Sequence, residues 1–298
     1  MKLARYSEQR LVADITRGLP LGENVRVGAG DDCAVIGAPR AARWILLKAD
    51  VVVEGVHFLP EDDPRRIGWK ALCRAISDIA AMGGVPEHAL ITIAVSRDDE
   101  VARVKALYAG LRKAARKFGV SIVGGETSRS PGPLFINIAL TGWVERTRCI
   151  LRSGAKPGDA LFVTGKLGGS RAGKHLDFTP RLAEARWLVQ HCRPTAMMDL
   201  SDGLAADLPR LARASRCGFT LEKSCLPITP GSTVQQALRD GEDFELLFTL
   251  APREAAGAMA KWRRTFPKLP LTEIGTISQL STFNFQLSPH GHDHFADA

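Results

Sequence analysis

Carboxylates set into apolar surroundings are the residues of this sequence best placed to do chemistry. Asp50 lies in "LLKADVVVEGVHF", residues 46–58, an apolar run that also carries Lys48, Glu54 and His57. Asp31 and Asp32 stand in "GAGDDCAVI", directly ahead of an apolar strand. Asp78 has Ala71, Ala75 and Met82 at helical spacing around it, so it falls on an apolar stripe. Glu126 follows "SIVGG" and begins "GGETSRSPGP", which reads as a strand end opening into a Gly/Pro loop whose amides can approach a ligand. In "MMDLSDGL", Asp199 ends an apolar strand and Asp202 sits in a loop entering a helix. Some have a plain structural alternative: a glycine-aspartate turn for Asp31 and Asp32, a buried pairing with an Arg or Lys for Asp78, Arg74 being the obvious partner, and an N-cap for Ser201 or Asp202.

Together these residues point further. Two carboxylates ~4 Å apart repel by about 4 kcal/mol at an effective dielectric of 20, so a convergent set needs cations. Oxygen donors without a Cys or His set suit magnesium, which commonly bridges protein carboxylates and nucleotide phosphates. The chemistry expected is phosphoryl transfer by positioning and charge neutralisation, with no covalent nucleophile. "GGSRAGKH", Gly168 to His175, nearly spells a phosphate loop, but His175 stands where the magnesium-binding hydroxyl belongs, so the segment reads as a tight turn.

The elements that must position these groups alternate between strands and helices. A helix is expected over residues ~5–18, then strands at "DDCAVIG" and "WILLKADVVVEGVHF". Strand alternation puts Lys48, Asp50, Val52 and Glu54 on one face and Leu47, Ala49, Val51 and Val53 on the other, giving a chemical face and a packed face. A helix begins at Pro64 and stops at Gly83-Gly84. The strand "HALITIAVS", a helix around "EVARVKALYAGLRKAARKFG", and the strands "SIVGG" and "LFINIALTGWV" follow. The basic segment "RTRCILRSGAKPGD" marks a domain boundary near residue 148, which divides the chain into 1–148 and 149–298. Beyond it come the strand "ALFVTG", a helix near "PRLAEARWLVQHC", the strand "TAMMDL", a helix "LAADLPRLARAS" that Pro209 must kink or carry into a second turn, and "DFELLFTL" with Phe244, Leu246, Phe248 and Leu250 on one face.

A length of 298 residues suits two domains without staples, and 45% hydrophobic with 24% charged residues is the make-up of a globular protein. No apolar run is long enough to span a membrane, and the N-terminal stretch lacks a secretory pattern, so a cytoplasmic protein is expected. Six cysteines without C-x-x-C spacing argue against zinc and redox motifs. The net charge of +8 is spread without aromatic interleaving, which fits a solvated surface that attracts small anions and argues against nucleic acid.

"GDDCAVI", "VEGVHFLP", "ISDIAAMGGVP", "IVGGETSR", "RSGAKPGD", "DLSDGLAADL", "GEDFELLFT" and "GHDHFA" occur in an order and spacing that resembles the thiamine-monophosphate kinases of the aminoimidazole-ribonucleotide-synthetase-like superfamily. The resemblance implies a two-domain α/β (α+β) enzyme. It also implies a homodimer that pairs N-terminal domains through a β-barrel, and ATP- and Mg2+-dependent in-line phosphorylation of thiamine phosphate. Carried over residue by residue, it makes Asp32, Asp50, Asp78, Glu126, Asp199 and Asp202 metal ligands with several Mg2+ ions. Tyr108, Gly125, Glu126, Arg152 and Ser201 become nucleotide contacts, and His57, Glu242 and His292 acceptor contacts. Departures from the family pattern are Lys48-Ala49 in place of two hydroxyl residues, Glu126 in place of aspartate, and His292 in place of an aromatic residue. Lys48 is expected to act in catalysis beside Asp202, its ammonium replacing one Mg2+ with Glu126 as partner, unless it is a surface residue of an edge strand. Open alternatives are a divergent relative with another small-molecule acceptor and a non-catalytic nucleotide-binding paralogue.

Overall fold

The computed structural model describes residues 8–280. After helix α1 (Glu8–Thr16), the first sheet is built from β1 (Val25–Val27), β2 (Ala34–Ile36), β3 (Arg43–Val53), β4 (Val85–Val95), β5 (Ser121–Arg129) and β6 (Phe135–Glu145). Their spatial order is β1-β2-β3-β6-β4-β5. All pairs are antiparallel except β4 and β5, which run parallel because helix α3 (Val101–Phe118) supplies the crossover. The second sheet holds β7 (Ala160–Thr164), β8 (Ala196–Asp199), β9 (Gly218–Leu221), β10 (Leu246–Leu250) and β11 (Leu271–Ser278) in the order β8-β10-β7-β11-β9. Around it stand α4 (Lys174–Asp177), α5 (Leu182–His191), α6 (Leu204–Ala214), α7 (Val234–Arg239) and α8 (Pro252–Thr265).

Helix α2 (Pro64–Ala81) is the element that positions the site. The Asp63 side chain caps it by accepting from the Arg65 amide at 2.9 Å, Pro64 fixes the first turn, and Gly83 in the left-handed region ends it. It packs on β3, β6 and α3 on one side and touches α4, α5 and β8 of the second half on the other. Its contact with α3 is made through glycines: a Cβ on Gly68 would fall 2.0 Å from the Leu107 carbonyl oxygen, and one on Gly110 1.9 Å from that of Arg65. Ile67, Leu72, Ile76 and Ile79 are fully buried, each contributing about 1.5–3 kcal/mol through apolar burial.

The two sheets differ in cover. Strands β7, β8 and β10 are buried along their whole length, with helices on both faces, and their side chains split between two apolar clusters. The first sheet is covered on one face, and β6 alternates buried and half-buried residues without a break. The open face carries Ile45, Leu47, Leu90 and Val123, all exposed in the single chain.

Several expectations need correction. The alternation of β3 is as expected, but the face that carries Lys48 and Asp50 is the inner one, shared with buried Leu46 and Val52, while Ile45, Leu47 and Ala49 face outward. Strand β3 lies between β2 and β6, so Lys48 is not on an edge. Strand β5 does not end at the paired glycines but runs to Arg129, because β4 continues beside it and offers main-chain partners to the end. Phe244 does not extend the face of β10: its φ of 50° breaks the strand, and its ring stacks on Phe178 with centroids 3.9 Å apart, in the core of the first half. Helix α6 runs through Pro209.

Candidate active site

Three of the predicted carboxylates converge. Asp32 from the turn before β2, Asp78 from α2 and Asp199 from the end of β8 each present an oxygen within 4.8 Å of the others, and all three are buried. Their neutralisation is incomplete. Arg152 bonds Asp32 Oδ1 through Nε at 3.2 Å and Nη2 at 2.5 Å, and its amide donates to the Asp31 carboxylate. The Ser77 hydroxyl donates to Asp199 Oδ2 at 2.6 Å. Lys48 Nζ lies 2.8 Å from Asp78 Oδ1. The second oxygen of Asp32 is buried with no hydrogen-bond partner among the described residues. An unpartnered buried carboxylate oxygen costs more than about 1–3 kcal/mol, so this is where a cation belongs. Burial, then the charge of Asp32, pushes the Asp199 carboxyl up to about 6; burial and the charge of Asp32 do the same to Asp31. Burial raises Asp78 as well, against the pull of Lys48. A hard, oxygen-seeking divalent cation fits this donor set.

Lys48 is therefore part of the site, but its partner is Asp78 rather than Glu126. Burial works against its charge, yet Asp78 and then Asp50 more than compensate and raise it above an ordinary lysine. Glu126 is exposed on β5, its carboxylate accepting from the Thr127 amide at 2.9 Å. The buried pairing of Asp78 is with a lysine, Lys48, and not with Arg74, which bonds Asp50 at 3.2 and 3.3 Å and reaches Glu242 Oε1 at 3.3 Å. Asp50 is lowered because Arg74, then Lys48, outweigh its burial.

The remaining predicted residues lie on the surrounding elements. Ser201 offers its carbonyl oxygen to the Glu242 amide at 2.7 Å, which ties the loop after β8 to the segment before β10. Asp202 stands outside the converging trio. Its carboxylate is bonded by Arg210, and its amide donates to Asp207 Oδ2 at 3.0 Å, so neither Ser201 nor Asp202 is the N-cap of α6, a place taken by Gly203. His57 is fixed by β3, its Nδ1 accepting from the Val53 amide at 3.1 Å. A Cβ on Gly125 would lie 1.8 Å from the Ile91 carbonyl oxygen, so close β4–β5 contact requires glycine there. Tyr108 in α3 packs on the first core. His292 lies outside the described residues.

Sequence reasoning missed Lys70, Ser77, His175 and Arg210. The signal for two of them was present: Lys70, Arg74, Ser77 and Asp78 recur at three-to-four spacing and make one polar stripe on α2. His175 bonds nothing local. It reaches Lys70 Nζ at 2.6 Å and Glu242 Oε2 at 3.1 Å, contacts only folding could reveal. The phosphate-loop reading fails in space as in sequence, because the Gly168 and Gly169 amides donate to Asp243 and Asp240, and Lys174 pairs with Asp243.

Fold and carboxylate cluster together define a class. Residues 30–144 match the family model described as AIR synthase related protein, N-terminal domain. Across nearly the whole chain the likeness is narrower. A thiamine-monophosphate kinase of Rhodopirellula baltica is 42% identical over 88% of this chain and 85% of its own length, and one of Bacillus subtilis is 34% identical over 90% of each. A solved structure, AaThiL complexed with AMPPCP and TMP, superposes with a TM-score of 0.80 at 31% identity over 99% of both chains. The chain belongs to the thiamine-monophosphate kinase family.

Proposed function

We propose that this protein transfers the γ-phosphoryl group of ATP to thiamine phosphate, giving thiamine diphosphate by direct in-line displacement. One observation carries it beyond family membership: three buried carboxylates from three separate elements converge, and among the described residues one Asp32 oxygen has no partner. The attacking atom is an oxygen of the acceptor phosphate, ionised near neutral pH because its second pKa is about 6, so no side chain need remove a proton. The work left to the protein is positioning and charge.

Asp32, Asp78 and Asp199 would hold Mg2+, with Asp50, Glu126 and Asp202 as further ligands carried over from the family pattern. Bound there, Mg2+ offsets the negative charge of the transferring phosphoryl group. Lys48 adds a fixed positive charge from inside the protein, 2.8 Å from Asp78, in place of one ion. Asp202, balanced by Arg210, supplies a carboxylate at the start of α6. Tyr108, Gly125, Glu126, Arg152 and Ser201 are assigned to the nucleotide, and His57, Glu242 and His292 to the acceptor. Residues 1–148 form the main nucleotide- and metal-binding part, and residues 149–298 a second α/β part that adds Arg152, Asp199, Ser201 and Asp202.

A homodimer is supported by the open face of the first sheet, where Ile45, Leu47, Leu90 and Val123 are exposed without cover. Free cysteines favour the cytoplasm, and among the described residues no helix is long and apolar enough to cross a membrane.

Incubation with ATP, Mg2+ and thiamine phosphate, followed by phosphorus NMR, tests the proposal. Thiamine diphosphate is the expected product. ADP without it would point to another acceptor, and nucleotide binding without turnover to a non-catalytic paralogue.

A further inference from the structure

Lys70 of α2 has no exposed side-chain surface. A buried ammonium is tolerated only where its N–H groups are matched, and here each of the three has an acceptor. These are the main-chain carbonyl oxygen of His57, Glu242 Oε2 at 2.8 Å and His175 Nδ1 at 2.6 Å. The acceptors come from three separate elements: the loop after β3, the segment before β10, and α4. The His175 nitrogen also lies 3.1 Å from Glu242 Oε2; it can accept from Lys70 or donate to Glu242, not both, and either bond ties α4 to the pair.

Glu242 needs such support. Its φ of 52° is left-handed, a conformation costing about 1 kcal/mol for a residue with a side chain, which persists where the surroundings over-determine it. The Ser201 carbonyl holds its amide, and Lys70, Arg74 and His175 surround its carboxylate. Burial would raise that carboxyl, but the His175 contact and the charges of Lys70 and Arg74 keep it far below the ordinary range. The group facing an acceptor is therefore a fixed anion on an immobilised backbone.

We infer that Lys70, with His175, is the positioning residue of the acceptor side: one ammonium sets the separation of the His57 loop from the Glu242 carboxylate and thereby selects the acceptor. The inference rests on the assignment of His57 and Glu242 to the acceptor made above. Lys70 touches neither substrate; it acts through two residues that do.

The test is a kinetic cycle on the full-length protein with Lys70→Met, Glu242→Gln and the double variant, measuring kcat and KM for thiamine phosphate and for ATP separately. Loss of a charged hydrogen bond predicts that Lys70→Met raises the KM for thiamine phosphate about tenfold or more and leaves that for ATP within about twofold. The double variant should be no worse than Glu242→Gln alone, since Lys70 acts through that carboxylate. Additive effects, or equal changes in both KM values, would overturn the inference. If Lys70→Met does not fold, His175→Asn decides: it keeps the Lys70–Glu242 pair and should raise the acceptor KM about threefold, and an unchanged KM overturns the inference. Wild-type protein that forms no thiamine diphosphate overturns the underlying assignment as well, whereas active wild type with an indifferent Lys70→Met overturns the positioning role alone.

Discussion

Two polar regions lie along the same stripe of α2 and are built on opposite principles. Around Asp78, the carboxylates of Asp31, Asp32, Asp78 and Asp199 outnumber the Lys48 and Arg152 cations bonded to them, and one oxygen is left over. Two turns away, Glu242 and Asp50 are matched by Lys70 and Arg74, and every donor of Lys70 is used. The first region is under-neutralised, so a cation placed there would be favoured. The second is complete, so it can hold a shape. A site that must neutralise a moving charge and orient its acceptor needs both kinds, and one helix supplies them by spacing residues a turn apart.

The largest effect that would separate the regions is expected from Asp199→Asn. Loss of a converging ligand should lower kcat about 10^3-fold, while the metal-free protein becomes more stable by about 1–3 kcal/mol, because a carboxyl pushed up to about 6 by burial and Asp32 no longer has to ionise at pH 7. Calorimetry without Mg2+ reads the second effect; a fall in stability would break the contrast. Arg74→Met should do the reverse, destabilising by about 3 kcal/mol in urea unfolding, since it takes the guanidinium from buried Asp50 and one of three partners from Glu242.

Lys48→Met sharpens the comparison from within the first region. Removal of the resident cation should raise Mg2+ affinity, or Mn2+ affinity followed by electron paramagnetic resonance, about tenfold and add to the stoichiometry; unchanged binding would remove Lys48 from the site. The smallest effect lies away from both regions. Arg186 holds Glu145 by two bonds of 2.8 Å and, with burial opposing, lowers its carboxyl to about 2. That stability is present above the unfolded value near 4.5 and is lost as pH falls towards 2. Glu145→Gln should therefore cost about 1–2 kcal/mol at pH 7 and progressively less in acid, read as converging urea midpoints.

Much of this was legible in advance, for identifiable reasons. The span of α2 followed from Pro64, three-to-four periodicity and Gly83; the face alternation of β3 and β6 followed from period two. Asp32, Asp78 and Asp199 stood out because each lies in or beside an apolar run, where a carboxylate needs a compensating partner. Less legible was anything that depends on which surface meets which. Period two assigns Leu47, Ala49, Val51 and Val53 to the packed face of β3, yet Leu47 and Ala49 face outward and the face of Lys48 and Asp50 is the one turned to α2. Which cation pairs with Asp78 is hidden for the same reason: Arg74 is close along the helix, but Lys48 reaches Asp78 from the sheet.

By itself, then, the sequence determined the local elements, the family and the inventory of charge, because periodicity, caps and motifs are properties of neighbouring residues. Only the tertiary structure decided the pairing. Lys70 and Glu242 are separated by 172 positions, and Ser77 and Asp199 by 122. No spacing rule reaches across such distances, because what joins those residues is the packing of α2 between a sheet covered on one face and a second half that closes over its other side.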